Sequence, residues 1–235
     1  MKKWLCLLLA GVLLLMCACG LQDKPTSHTY TLAPARDDPN VKILTVTETA
    51  TKKELQTIRL EGNEWFVAEP IYTDITFDGN RDILVPFQRA ASGVFFAGYV
   101  WNEKTGQYVY APYLENIPNI AVDAEKEQLL SHRTQSQITS YCIYRYNEEK
   151  RDFESVRSLY WERQENDAYM RVVETQYTEG EEEPVKQFSV AASNPIDADK
   201  TDANMAPYYV AGSRWDLDSA KWNNTVYAAD MSKEP

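Results

Sequence analysis

Histidine and cysteine are scarce in this sequence, and their scarcity limits the chemistry that the chain can perform. There are only two histidines, His28 and His132, and four cysteines. No zinc cluster and no Ser/His/Asp set can be assembled convincingly from them, and no glycine-rich phosphate loop occurs. The sequence therefore predicts a protein that is not an enzyme.

The distribution of cysteine excludes an internal disulfide. Cys6 and Cys17 lie in a predicted signal peptide that is removed, and Cys19 is the predicted site of lipid attachment. Cys142 is the only other cysteine and so has no partner for a disulfide. Cys142 follows Tyr141 in a predicted strand, where a buried and inert thiol is expected. Stability must therefore come from the hydrophobic core, and from a metal ion if one binds.

Helical periodicity is also absent. No stretch longer than ten residues has a convincing 3.6-residue period, whereas β-branched and aromatic residues alternate along much of the chain. Strands are predicted over residues 41–49, 54–60, 83–87, 95–101, 169–177 and 185–191, with a hairpin from 120–122 to 129–131 and a closing strand near 208–210. The sequence predicts an all-β protein.

The N-terminus has the layout of a secretory signal peptide over residues 1–18. Lys2 and Lys3 precede an apolar run that is shorter than the about 20 residues of a membrane span. The run ends in Met16-Cys17-Ala18-Cys19, which resembles a bacterial lipobox with Cys19 as the lipidated residue. Acyl chains on Cys19 would anchor the protein to the outer face of the cytoplasmic membrane or to the outer membrane. The alternative is an ordinary secreted protein that is cleaved nearby.

Residues 19–40 are interpreted as the lipidated cysteine and a flexible tether, because this segment is polar, contains prolines and lacks hydrophobic periodicity. Removal of residues 1–18 takes Lys2 and Lys3 with it, so the formal charge changes from −11 to −13. Such a surface repels nucleic acid and attracts basic proteins or cations. Solubility alone is the other explanation of the charge.

An oxygen-rich stretch, Tyr72 to Val85, leads directly into a predicted buried strand. Its spacing matches positions 1, 3, 5, 7 and 9 of a calcium loop, with a glycine at position 6, in the residues Asp74, Thr76, Asp78, Asn80, Asp82 and Gly79. Position 12 is Val85 where a bidentate glutamate is required, so the full EF-hand pattern fails. The alternative is a hydrogen-bonded loop, in which Asp side chains accept main-chain N–H groups around an Asp78-Gly79 turn.

Two segments of the chain resemble each other at an offset of 45 residues. Residues 99–108 can be aligned with residues 144–153. In each copy a strand with aromatic residues is followed by a charged turn, and an aromatic residue follows the turn. A period of about 40–45 residues is the size of a four-stranded propeller blade. Repeated hairpins in a β-sandwich would look similar, so both architectures remain open.

The order of these features resembles a family of bacterial envelope proteins. The features are Tyr72-x-x-Asp-x-x-Phe-Asp-Gly-x-x-Asp-Ile83, Tyr99-x-Trp-Asn-x-Lys-Thr-Gly-x-Tyr108 and Tyr144-x-Tyr-Asn to Phe153. The family includes a calcium-binding β-propeller inhibitor of lysozyme, and the first motif also resembles the Asp-Gly-Asp loops of FG-GAP and VCBS repeats. The resemblance implies a propeller-like domain over residues 41–160. Residues 161–235 lie outside the resemblance and are interpreted as a C-terminal β extension, which completes the same domain or, alternatively, forms a small added unit.

The same resemblance implies a calcium ion bound by Asp74, Thr76, Asp78, Asn80 and Asp82. Two departures should weaken this site towards the ~10⁻⁴–10⁻³ M of extracellular modules. Thr76 stands where a carboxylate or an amide is common, and Val85 removes the bidentate ligand.

Two functions of different classes are compatible with the sequence. The favoured one is a membrane-anchored lipoprotein that binds a protein or glycan, with inhibition of a basic, lysozyme-like protein as its more specific form. The other is an envelope glycan or peptidoglycan hydrolase that uses paired carboxylates such as Asp216 and Asp218. Trp161, Trp215 and Trp222 could line a sugar or peptide site, but core positions are expected for them.

Overall fold

The described residues fold into three open antiparallel sheets. The structure is a computed structural model and describes residues 27–38, 40–61, 69–135, 138–163, 169–178, 180–191 and 202–226. The predicted signal peptide and Cys19 lie outside these ranges. Across the described part of the chain, no helix has the length and apolar character needed to span a membrane.

In each sheet, the spatial order of the strands follows their order along the chain. The first sheet contains β1 (His28–Pro34), β2 (Lys42–Glu48) and β3 (Glu54–Leu60). The second contains β4 (Ile71–Thr73), β5 (Asp82–Ala90), β6 (Gly93–Asn102) and β7 (Gln107–Ala111). The third contains β8 (Ile120–Asp123), β9 (Gln128–Gln135), β10 (Ile138–Asn147), β11 (Asp152–Arg163), β12 (Tyr169–Thr178) and β13 (Glu181–Ala191).

The prediction of an all-β protein is confirmed. The predicted strands correspond to β2, β3, β5, β6, the β8–β9 hairpin, β12 and β13. The third sheet runs without interruption from β8 to β13, so it crosses residue 160. The sheets of three, four and six strands are separate, and the finer prediction of a propeller stays a prediction.

The interpretation of residues 19–40 as a flexible tether is wrong for His28–Pro34, which form β1. This strand pairs with β2 in unbroken antiparallel register. Tyr30 and Leu32 point to one face of β1 and pack against the core between the first two sheets. Burial of these two side chains stabilises an ordered strand in a segment whose composition is otherwise polar.

The sheets pack face to face, with the second sheet in the middle. Ile83 and Val85 of β5 pack against the first sheet, whereas Leu84 belongs to the core shared with the third sheet. In the same way, Leu129 of β9 lies in the core shared with the second sheet, and Leu130 packs on the opposite face. Because these strands are buried on both faces, they are continuous apolar runs in the sequence.

Residues 202–226 cover the outer face of the third sheet. This segment contains the short 3₁₀ helices Ala206–Tyr209 and Ala220–Trp222. The predicted closing strand near residues 208–210 is therefore wrong: Pro207 lies in the first turn of a 3₁₀ helix, where proline is well tolerated. Tyr208 and Trp222 enter the core with residues of β8 to β13, so the segment closes the fold as a helical cap.

Candidate functional site

The turn between β4 and β5, residues 74–81, is built around two aspartates, and we call it the aspartate loop. Asp74 accepts the main-chain N–H groups of Phe77 at 2.7 Å and Gly79 at 2.9 Å. Asp78 accepts the N–H of Asn80 at 2.7 Å. These bonds hold Phe77 and Gly79 at φ values of 64° and 87°, which glycine adopts freely and phenylalanine rarely does.

Asp82, the first residue of β5, connects the aspartate loop to the second sheet. Its side chain is fully buried. Oδ1 accepts the N–H of Trp101 at 2.9 Å, and Oδ2 accepts the N–H groups of Ile75 and Thr76 at 2.9 and 3.1 Å. The Thr76 hydroxyl also donates to Oδ2, at 3.2 Å. Burial raises the pKa of Asp82 to about 7, whereas these main-chain donors lower it. This carboxylate therefore has a structural role inside the fold.

The predicted calcium ligands lie in one loop, but their oxygens are used largely within the chain. Asp74 and Asp82 accept hydrogen bonds at both carboxylate oxygens, and the amide of Asn80 donates to Glu103 at 3.0 Å. Among the described residues, no group of three or more His, Cys, Asp or Glu side chains is placed to hold a metal ion. The geometry is that of a hydrogen-bonded loop, and calcium binding by Asp74, Thr76, Asp78, Asn80 and Asp82 stays a prediction.

A thermal-shift titration of the protein with Ca²⁺ and Mg²⁺ tests the calcium prediction. Concentrations up to about 10 mM exceed the ~10⁻⁴–10⁻³ M expected of a weak extracellular site. A weak calcium loop would show a calcium-selective rise in Tm that Asp78→Ala loses, since one oxygen of Asp78 accepts no hydrogen bond from a described residue. Equal responses to both ions, or the same calcium response in the variant, would contradict the prediction.

The two segments that resemble each other in sequence form the same hairpin. In the β6–β7 hairpin Asn102 pairs with Gln107, and in the β10–β11 hairpin Asn147 pairs with Asp152. Each pair encloses a four-residue turn whose last residue has positive φ, Gly106 at 63° and Arg151 at 51°. Asn102 and Asn147 both accept N–H groups of their own turn. The β8–β9 turn repeats the geometry, with Glu127 at 50°.

The aspartate loop and these three turns surround a depression, which we call the loop-end depression. It consists of two cavities of 280 and 420 Å³. Both are lined by Thr76 and Asp78 of the aspartate loop and by Tyr146 and Glu148 of the third sheet. Two sheets and four separate connections therefore contribute to one surface.

Charges of both signs line the loop-end depression in equal number. Its acidic residues are Asp78, Glu103, Glu127 and Glu148. Its basic residues are Lys104, Lys126, Arg145 and Arg151. Such a surface offers ion pairs and hydrogen bonds to a polar partner of either sign. These contacts determine the orientation of the partner and the specificity of binding more than the affinity.

Sequence reasoning did not identify the basic residues of this depression. The repeated charged turns were the available signal, because they place Lys104 and Arg151 in matching hairpins. What the sequence did not show is that the second and third sheets pack together through Phe96, Leu129 and Phe153. That packing brings the turns to one surface.

The two histidines, Asp216 and the three tryptophans named in the sequence analysis do not line the loop-end depression. His28 contacts Trp101 with ring centroids 4.4 Å apart, and His132 stacks on Tyr141 at 4.3 Å. Asp216 accepts the N–H of Gly212 at 2.9 Å, in the segment that caps the third sheet. Trp161, Trp215 and Trp222 are core residues of that sheet and its cap, as expected.

Comparisons with known proteins give little further information. Neither the protein-family models nor the curated proteins match this chain. A structure described as a Xanthomonas type IV secretion system related protein is similar at 13% identity and a TM-score of 0.45, covering 72% of this chain and 96% of that one. A protein with unknown function from Bacteroides fragilis NCTC 9343 is similar at 8% identity and a TM-score of 0.26, covering 69% and 91%. Both TM-scores are too low to support an argument.

Proposed function

We propose that this protein is a non-enzymatic binding module of the bacterial cell envelope, anchored to a membrane by lipid on Cys19. The observation that carries the binding function is the loop-end depression, where four connections and the end of β10 place eight charged side chains around one concave surface. Concave surfaces with convergent polar groups are the usual location of binding sites. The hydrogen-bonded aspartate loop and the repeated turns supply a rigid frame for this surface.

The proposed architecture is a small propeller-like domain. Face-to-face packing of consecutive antiparallel sheets is the way in which propeller blades pack. The β4–β7 sheet is a four-stranded meander, and the matching β6–β7 and β10–β11 hairpins lie in neighbouring sheets. Ligands of such folds bind where the connections of several blades meet. Connections of two sheets meet in the same way at the loop-end depression.

The proposed partner is a basic protein, with a lysozyme-like protein as the first candidate. The excess of acidic residues gives the chain a formal charge of −11, which accelerates association with a cationic partner at low ionic strength. Within the depression, exposed carboxylates such as Glu148 would pair with cations of the partner. The adjacent Lys104 and Arg151 would reject a partner surface that carries positive charge alone.

Adjacent glutamates in one turn provide a matched test of this surface. Glu148 and Glu149 are both exposed in the β10–β11 turn, but only Glu148 lines the depression. We expect Glu148→Lys to weaken binding of a basic partner by about tenfold or more, because it adds repulsion at the interface. Glu149→Lys makes the same charge change and should reduce affinity less than threefold.

The measurement is inhibition of lysozyme activity together with biolayer interferometry of lysozyme on the immobilised protein. Unaltered lysozyme activity at excess protein would remove lysozyme as the partner, and other basic envelope proteins would then be used as probes. Equal effects of the two variants on every bound partner would show that the depression is not the binding surface. Partitioning of Cys19→Ser into the aqueous phase of a detergent extraction, with wild type in the detergent phase, tests the anchor separately.

A further inference from the structure

A second pocket lies between the third sheet and the segment that covers it. Its volume is 230 Å³, and we call it the C-terminal pocket. Glu174 of β12, Lys186 of β13 and Tyr208, Arg214 and Trp215 of the covering segment line it. This volume is below the about 300–1,000 Å³ of pockets for drug-sized ligands, so a ligand of single-ring size is the largest that it would enclose.

A partly buried hydrogen-bond network fixes the inner wall of the C-terminal pocket. Glu174 accepts an ion-paired bond from Arg157 at 2.7 Å, the indole N–H of Trp215 at 3.1 Å and the hydroxyl of Tyr208 at 2.8 Å. Burial raises the pKa of Glu174, but these three donors together hold it below its usual value. Arg157 therefore compensates the charge of Glu174, and Glu174 in turn holds the rings of Tyr208 and Trp215 in place.

The exposed side of the C-terminal pocket carries two cations. Lys186 and Arg214 are both exposed, and neither makes an ion pair with a residue in the described ranges. Lys186 Nζ lies 5.3 Å from the centroid of the Tyr208 ring and 4.9 Å from that of Phe188. In a chain with 35 acidic and 24 basic residues, two cations without carboxylate partners at one pocket leave charge available to a ligand.

We propose that the C-terminal pocket binds a small ligand that carries a carboxylate on a single ring. Lys186 and Arg214 pair with the carboxylate, and the planar guanidinium of Arg214 is suited to a bidentate contact. Tyr208 and Trp215 present an apolar wall to the ring, and aromatic edges favour negative charge nearby. A sugar acid and an aromatic acid share this chemistry. The site is distinct from the loop-end depression, so it goes beyond the proposed binding function.

Nuclear magnetic resonance with glucuronate and benzoate as probes tests the proposal. Binding of a small anion with few contacts is expected near 1 mM, so titration to about 10 mM suffices. The indole N–H signal of Trp215 is the reporter, because this group borders the pocket and donates to Glu174. We expect one of the two carboxylates to shift it with saturation, and glucose, which lacks the carboxylate, to leave it unmoved.

A double variant and a matched control make the result specific. Lys186→Gln with Arg214→Gln should weaken carboxylate binding tenfold or more without loss of folding, since both side chains are exposed. Lys53→Gln with Arg89→Gln removes two exposed cations outside the pocket and should change the affinity less than twofold. A shift by glucuronate alone assigns a sugar acid, and one by benzoate alone an aromatic acid. Absence of saturable binding by either, equal binding of glucose, or unchanged affinity in the Lys186/Arg214 variant would overturn the proposal.

Discussion

Replacement of Asp82 by alanine should destabilise the folded protein by about 3–5 kcal/mol. The carboxylate is fully buried, and its removal leaves the N–H groups of Ile75, Thr76 and Trp101 without an acceptor. Each unsatisfied buried donor costs about 1–3 kcal/mol. Urea denaturation followed by tryptophan fluorescence measures the effect.

Asp78→Ala is the control for the Asp82 experiment, because Asp78 belongs to the same loop and accepts one main-chain N–H, that of Asn80. Its side chain is exposed, so its loss should cost about 1 kcal/mol or less. A free energy of unfolding for Asp82→Ala within about 1 kcal/mol of wild type would contradict the structural role of Asp82. It would mean that the aspartate loop is held by other contacts.

The pKa of Asp82 gives the same experiment a pH dependence. Burial raises this pKa from 3.8 to about 7, so between these values the folded state binds more protons than the unfolded state. Stability that the protonated group contributes is therefore present at low pH and is lost as the pH rises towards 7. We expect the free energy of unfolding of wild type, relative to Asp82→Asn, to fall over this interval. A rise of this free-energy difference with pH would show that the main-chain donors, and not burial, determine the direction in which the pKa of Asp82 is shifted.

Replacement of Trp222 by alanine should cost about 3–5 kcal/mol and loosen the C-terminal cap. The side chain is 1% exposed, and its indole N–H donates to the carbonyl oxygen of Trp215 at 2.7 Å. Its ring lies 4.9 Å from Tyr141 on β10, so it attaches residues 202–226 to the third sheet. Alanine leaves a large cavity in this core, and the surroundings recover only part of the loss.

Chemical denaturation and limited proteolysis together measure this effect. We expect Trp222→Ala to be cleaved within residues 202–226 under conditions where wild type is intact. Trp222→Phe keeps a ring but loses the indole donor, so it should cost less, about 1–3 kcal/mol. Val210→Ala, at a side chain that is 57% exposed, should lie within about 0.5 kcal/mol of wild type. Equal stability of the Ala and Phe variants would contradict the importance of the buried ring.

Strand positions could be predicted from the sequence because burial imposes local patterns on it. The continuous apolar run Ile83-Leu84-Val85 predicts a strand covered on both faces, and the cores confirm this. The strand His28–Pro34 was missed because polar composition and nearby prolines outweighed the alternation of Tyr30 and Leu32. Alternation was the better signal, since burial follows the period of a strand and not its average composition.

The candidate site could be predicted only in part. The aspartate loop is local, so the sequence located it. The hydrogen bond from the N–H of Trp101 to the buried Asp82, in contrast, depends on the pairing of β5 with β6. The cations of the loop-end depression come from two sheets, three from turns and Arg145 from β10, and those of the C-terminal pocket come from β13 and the covering segment. Such contacts depend on how sheets and segments pack, which no single stretch of sequence encodes.

The sequential strand order also has consequences for how the chain folds. Within each of the three sheets, every strand pairs with its neighbour along the chain, and loops of four residues close several of these pairs at little entropic cost. Pairing can therefore follow synthesis from the first sheet onwards, because the contacts between strands joined by short turns are local in sequence. The outer face of the third sheet cannot be covered in this order, because the residues that pack on it, Tyr208, Trp215 and Trp222, are synthesised last. A nascent chain that ends before residue 202 would expose Leu130 and its neighbours to aggregation or to chaperones.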